Sequence, residues 1–307
     1  MHFENFRQVM SAVKQFPKTR LCVAAAADDT VLQAVRDAGK EDLVDFVLVG
    51  AEEKIWRLAI TNRLNLQGIE IIDVEDPVAA AYRAVEEVAQ GRADFLMKGM
   101  VNSTDFMRVV LKPEGALRSG GILSHLAAFE IPGYYRLIYV TDGGLNIDPD
   151  LLQKKAITEN AVRFLHGIGL EKPRVAVLSA NEKVSARMPS SVDADHLKEL
   201  AARGEITGVV VDGPMALDAA INAEAAAHKG IDSPVAGRAD LLVMPNIEAG
   251  NLLGKAIMYF AGGKMAGLVL GATKPVVLTS RHDTPYGKLA SIALAAYAAV
   301  LGGRPAV

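Results

Sequence analysis

Residues 95–105, Phe95-Leu96-Met97-Lys98-Gly99-Met100-Val101-Asn102-Ser103-Thr104-Asp105, carry the reading that decides the fold. Three apolar residues read as a short buried strand, Lys98-Gly99 as a turn, and Ser103 or Thr104 as the start of a helix. A strand that turns directly into a helix is the building unit of a parallel sheet. The helix start also presents free N–H groups and the positive end of a dipole. Lys98, Ser103 and Thr104 are therefore candidates for holding a phosphate, the plain alternative being a capped surface helix with a solvated lysine.

Working outward, the same pattern recurs. Roughly ten runs rich in Val, Leu and Ile read as strands: 21–27, 46–49, 69–73, 95–97, 137–141, 175–179, 209–212, 241–245, 268–270 and 276–279. The stretches between them have helical spacing, as in Phe6, Val9, Met10, Val13 and Ala79, Tyr82, Val85, Val88. Strand and helix in alternation predict an α/β fold with mostly parallel sheets and helices on both faces. In such sheets ligands bind beyond the carboxyl ends of the strands. Those ends read Lys98-Gly99, Thr141-Asp142, Asp212-Gly213-Pro214, Pro245-Asn246 and Ser280-Arg281.

A chain of 307 residues exceeds one ordinary core, and its 50% apolar content suffices for two lobes. The formal net charge of -3 supplies no basic field for nucleic acid or an anionic membrane. No apolar run is long enough to span a bilayer, and the start, MHFENFRQVM, has no secretory apolar region. A cytoplasmic protein whose partners are small molecules and other subunits is expected. Cys22 lies in the apolar run RLCVAAAA and reads as a strand residue of the core, not a nucleophile.

Several further stretches carry polar chemistry. In LRSGGILSH, Arg118 is a candidate for a nucleotide phosphate, and His125 reads as structural. Asp212 and Asp218 form a pair of carboxylates without a third acidic neighbour, so capping and loop bracing fit them better than metal binding. Residues 246–255, Asn246 to Lys255, imitate a P-loop, yet only three residues separate Gly250 from Gly254 and Ala256 follows the lysine. A helix start carrying Asn246, Gly250, Asn251 and Lys255 still suits a phosphate or a pantetheine amide. The densest cluster is Thr279-Ser280-Arg281-His282-Asp283-Thr284. A guanidinium matches tetrahedral oxyanions in bidentate fashion, and a carboxylate beside it can take a proton. His228 and the glycine after Lys229 read as ordinary helix C-terminal features. No GxGxxG, HExxH, paired CxxC or GxSxG occurs.

Taken together, ADFLMKG with Ser103-Thr104, VTDGGLNIDP, VDGPMALDAA, HKGIDSPVAGRADLLVMPNIEAGN and KPVVLTSR resemble the phosphate acetyl/butyryltransferase family from about Ala93 to Leu294. The segment LRSGGILSHLAAFEIPGYYRLIYVTDGGLNI looks more like the butyryl branch. The resemblance implies a two-lobed fold like that of isocitrate and isopropylmalate dehydrogenases, with the active-site cleft between the lobes. It implies a first lobe of residues 1–125 plus 281–307 and a dimer-forming second lobe of residues 126–280. The implied reaction is metal-independent, needs no cofactor and forms no acyl-enzyme: the thiol of coenzyme A, a substrate, attacks the carbonyl of an acyl phosphate and phosphate leaves. Ser280 matches the family serine near the reacting carbonyl and Arg281 its phosphate-binding arginine. The acetyl branch has an aspartate as thiol base seven residues after the serine, where this chain has Gly287. Asp283 is the first choice for that role and His282 the second. Gly254 stands where the butyryl branch often has an aromatic residue, which would reshape the acyl pocket.

The expected activity is reversible transfer of a butyryl or similar short acyl group between coenzyme A and phosphate, with acetyl transfer as the nearest alternative. Two other classes compete. A metal- and NAD-dependent hydroxy-acid dehydrogenase would share the two-lobed fold but needs more aspartates than Asp212 and Asp218. A non-catalytic acyl-CoA-binding protein would not need Ser280 and Arg281.

Overall fold

A computed structural model describes residues 2–112, 117, 120–279 and 283–302. The chain divides into two compact units, Asn5–Gly121 with Ala266–Val307, and Met1–Glu4 with Ile122–Met265. We call them the first and second units.

The first unit is built on β1 (Thr19–Ala24), β2 (Val44–Gly50), β3 (Glu70–Asp73), β4 (Phe95–Lys98), β11 (Val276–Val277) and β10 (Lys264–Leu270), in the order β3-β2-β1-β4-β11-β10. All neighbours run parallel except β10 and β11. Unbroken burial along β4 and most of β1 shows that both faces of this sheet are covered. One helical group is α4 (Pro77–Ala89) with α5 (Ser103–Val110), and the other is α11 (Pro285–Gly302) with α1 (Phe6–Val13) and α2 (Asp29–Lys40). α2 starts where Asp28 accepts a bond from the Val31 N–H, and α4 where Asp76 caps ahead of Pro77. The remaining helix here is α3 (Glu52–Thr61).

In the second unit the order is β5 (Ser124–Glu130), β6 (Ile138–Thr141), β9 (Leu241–Val243), β7 (Arg174–Leu178), β8 (Val210–Met215). Only the β5–β6 pair is antiparallel. Its helices are α6 (Leu151–Gly167), α7 (Pro189–Ala202), α8 (Leu217–Ile221), α9 (Ala223–His228) and α10 (Ile247–Phe260). One apolar core joins Phe129, Ile138, Val140, Leu178, Met215 and Leu242 to Ala219 and Ala226, with Leu253 and Ile257 of α10 against it.

The division differs from the sequence-based boundaries at three places. Residues 266–280 belong with the first unit, because β11 pairs with β4 through Val276↔Leu96 and Val277↔Met97. Residues 122–125 belong with the second unit, since β5 begins at Ser124 and pairs with β6. Residues 2–4 also join the second unit: the Leu137 N–H donates to the Phe3 carbonyl at 2.8 Å, and His2 lies 3.0 Å from the Arg136 guanidinium. One strand, β5, was not anticipated. Its SHLAAFE sequence has alanine where the other strands carry valine or isoleucine, which conceals its β character.

Candidate functional site

In the first unit the lysine turn is pinched against β1. The Gly99 N–H donates to the Ala24 carbonyl and the Met100 N–H to the Ala25 carbonyl, both at 2.8 Å. A Cβ at residue 99 would lie 2.4 Å from the Ala25 carbonyl oxygen, so only glycine fits. Lys98 is buried rather than solvated, and its Nζ donates to the carbonyls of Gly99 at 3.2 Å and Val101 at 3.1 Å. The cap of α5 is Asn102, whose side chain accepts from the Thr104 N–H, so Ser103 and Thr104 keep exposed positions in the first turn. The β4–β11 register sets Met97 opposite Val277. Lys98-Gly99 and Leu278-Thr279 therefore leave neighbouring strands side by side. Ser280, Arg281 and His282 follow in sequence and, like Arg118, lie outside the described residues. Asp283 is half-buried at the entry to α11, where its carbonyl accepts a bond from Lys288.

A second turn, after β6, forms around Asp142, which is 3% exposed. Its Oδ1 accepts from the N–H groups of Gly144 at 2.8 Å and Leu145 at 2.9 Å. Its Oδ2 accepts from the His125 N–H at 2.9 Å and the Asn146 amide at 2.6 Å. The start of α10 packs on this turn. Asn246 caps the helix by accepting from the Ala249 N–H, and the Ile247 N–H donates to the Ile147 carbonyl at 2.9 Å. A Cβ at Gly250 would lie 2.7 Å from the Gly143 Cα, and the Asn251 amide reaches the Gly143 carbonyl at 3.4 Å. Asn246, Gly250 and Asn251 thus meet on one turn, while Lys255 is exposed one helical turn further on. Asp142 was visible in the sequence only as a strand end. A lone carboxylate between a buried strand and two glycines was the available signal.

Gly254 does not open onto free space. A Cβ there would sit 3.2 Å from Cζ of Phe129, so Gly254 packs against the β5 ring. Asp212 and Asp218 are engaged by lysines. Burial works to raise the Asp212 carboxyl, but bonds from Lys198, Ser233 and the Gly213 N–H outweigh it and hold it below the usual range. Lys229 lowers Asp218 in the same direction and also bridges to Glu182. Burial drives the Cys22 thiol far above its ordinary range, which removes it as a nucleophile.

These features define an open, mostly parallel α/β protein whose strands end in glycine-pinched turns, one built around a buried cation and one around a buried anion. The phosphate acetyl/butaryl transferase family matches residues 5–79 and 75–296. The chain is 43% identical over 296 residues to a phosphate butyryltransferase of Clostridium acetobutylicum, covering 96% of this chain and 98% of that one. It is also 43% identical over 294 residues to a phosphate acetyltransferase of Rhizobium meliloti, covering 95% and 93%. A branched-chain phosphotransacylase structure from Enterococcus faecalis superposes with a TM-score of 0.83 at 34% identity, covering 92% of this chain and 99% of that one. The chain belongs to the phosphate acetyl/butaryl transferase family and is an acyltransferase.

Proposed function

We propose that the protein transfers a short acyl group, butyryl or similar, reversibly between coenzyme A and inorganic phosphate. The observation that carries this reading is the end-to-end match to a phosphate butyryltransferase, 98% of whose length is covered. In the acyl-CoA-forming direction the coenzyme A thiol loses its proton and its sulfur bonds to the acyl carbonyl carbon. The bond from that carbon to phosphate oxygen then breaks, and phosphate leaves. Both substrates are polyanions, so N–H donors and cations aimed at phosphate supply most of what the reaction needs. Arg281 holds the phosphate, Ser280 lies at the reacting carbonyl, and Asp283 orients Arg281 or takes the thiol proton. Lys98, Ser103, Thr104, Arg118, Asn246, Gly250, Asn251 and Lys255 are the candidates for binding coenzyme A. No resident cofactor enters this scheme.

The protein acts as a cytoplasmic homodimer joined through its second unit. Exposed apolar side chains on α10 support the dimer, with Leu252 68%, Tyr259 72% and Phe260 93% exposed. Among the described residues no helix is long and apolar enough to cross a membrane. A panel of acyl-CoA substrates assayed for thiol release tests the reading. Release that depends on phosphate and is fastest with butyryl-CoA or a similar short chain is expected, with acetyl-CoA as the nearest competitor. Release indifferent to phosphate overturns it.

A further inference from the structure

Lys288 stands in the first turn of α11 and is 2% exposed. A buried ammonium is costly unless its N–H groups are bonded and its charge offset. Its Nζ reaches back over the helix start and donates to the Asp283 carbonyl at 2.9 Å. Two carboxylates favour its charge, Asp283 itself and Asp28, which is fixed as the α2 cap by bonds from the Val31 N–H at 2.9 Å and the Thr30 hydroxyl at 2.7 Å. Burial outweighs both and leaves the amine below its ordinary value.

Helix α11 does not need this lysine in order to begin. Thr284 accepts from the Gly287 N–H at 3.1 Å, and the Lys288 N–H donates to the Thr284 carbonyl at 3.0 Å. Ser291 ties the first turn to β10, donating to the Gly287 carbonyl at 2.8 Å and accepting from the Gly267 N–H at 3.0 Å. In a helix whose next residues, Leu289, Ala290, Ile292 and Ala293, are buried and apolar, methionine would fill the same volume without a buried charge. The geometry therefore directs the cation to the backbone at Asp283, two residues after Arg281 and three after Ser280 in sequence.

We propose that Lys288 is a positioning residue for the acyl transfer, fixing through the Asp283 carbonyl the point at which the chain enters α11. This deepens the proposed function and rests on it. Lys288→Met and Lys288→Arg in the full-length protein, assayed with butyryl-CoA and phosphate well below their melting temperatures, supply the test. The methionine variant should lose about tenfold or more in kcat while KM for butyryl-CoA stays within about threefold, because the loss is one of alignment and not of substrate binding. Arginine, which can also donate to the carbonyl, should restore most of kcat. If the methionine variant does not fold, Lys288→Leu, which likewise has no donor, is read in its place against the same two outcomes. An active wild type beside a methionine variant of unchanged kcat overturns the role of Lys288 alone. A wild type that releases no thiol from any acyl-CoA overturns the underlying reading as well.

Discussion

The turns after β4 and β6 solve one problem with opposite charges. Both end a buried strand, and both bring the chain so close to a neighbouring backbone that a glycine is required, Gly99 against Ala24 and Ala25, and Gly250 against Gly143. The first holds a buried ammonium on carbonyl oxygens, and the second a buried carboxylate on N–H groups. The carbonyls bonded to Lys98 lie just ahead of α5, where phosphate is proposed to bind. Donors drawn to Asp142 are instead consumed in holding the loop on which α10 starts. The cation turn thus leads into α5, and the anion turn braces the element beside it.

The largest effect that breaks this comparison comes from closing either pinch. Gly99→Ala and Gly250→Ala should each lower unfolding stability by about 3 kcal/mol or more, since the atoms that must move are backbone. Denaturant unfolding reads this, and midpoints unchanged from wild type contradict it. The next effect sharpens the contrast of charges. Asp142→Asn sets an amide against donors and should destabilise by about 2–3 kcal/mol, whereas Lys98→Met removes the donor to the Gly99 and Val101 carbonyls and should cost about 1 kcal/mol. The reverse order in the same unfolding experiment would mean that the lysine, not the aspartate, is the brace. The smallest effect concerns Cys22, paired with Leu96 in the strand beneath the lysine turn. Its thiol is raised in the fold, so its contribution to stability is complete below the ordinary thiol value near 8.5 and is lost as pH rises above it. The stability advantage of wild type over Cys22→Ala should therefore shrink by roughly 1 kcal/mol per pH unit between about pH 9 and 10. A constant difference over that range would place the thiol in contact with water.

The parallel architecture was legible because buried parallel strands require continuous apolar runs and their connections require helices. All the anticipated runs overlap strands of the fold, and β5 escaped because alanine and histidine mask an antiparallel strand. The role of Gly250 as a contact to another turn could not be read, since it depends on a backbone more than a hundred residues away in sequence. Lys98 was read either as a phosphate ligand or as a solvated lysine, and its bonds to the Gly99 and Val101 carbonyls were not anticipated, because burial of a lysine depends on which carbonyls surround it and composition carries no trace of that. Asp142 passed as a strand end because its burial depends on β5: three of its donors lie in its own turn, and the fourth is the His125 N–H of that unanticipated strand.

The most direct measurement of the central claim is product stoichiometry with wild-type protein, butyryl-CoA and excess phosphate, following free thiol and acyl phosphate together. Acyl transfer to phosphate predicts equal amounts of the two at every time point, formed without added metal or nicotinamide cofactor. Thiol released without acyl phosphate, as from hydrolysis of the thioester by water, would contradict it.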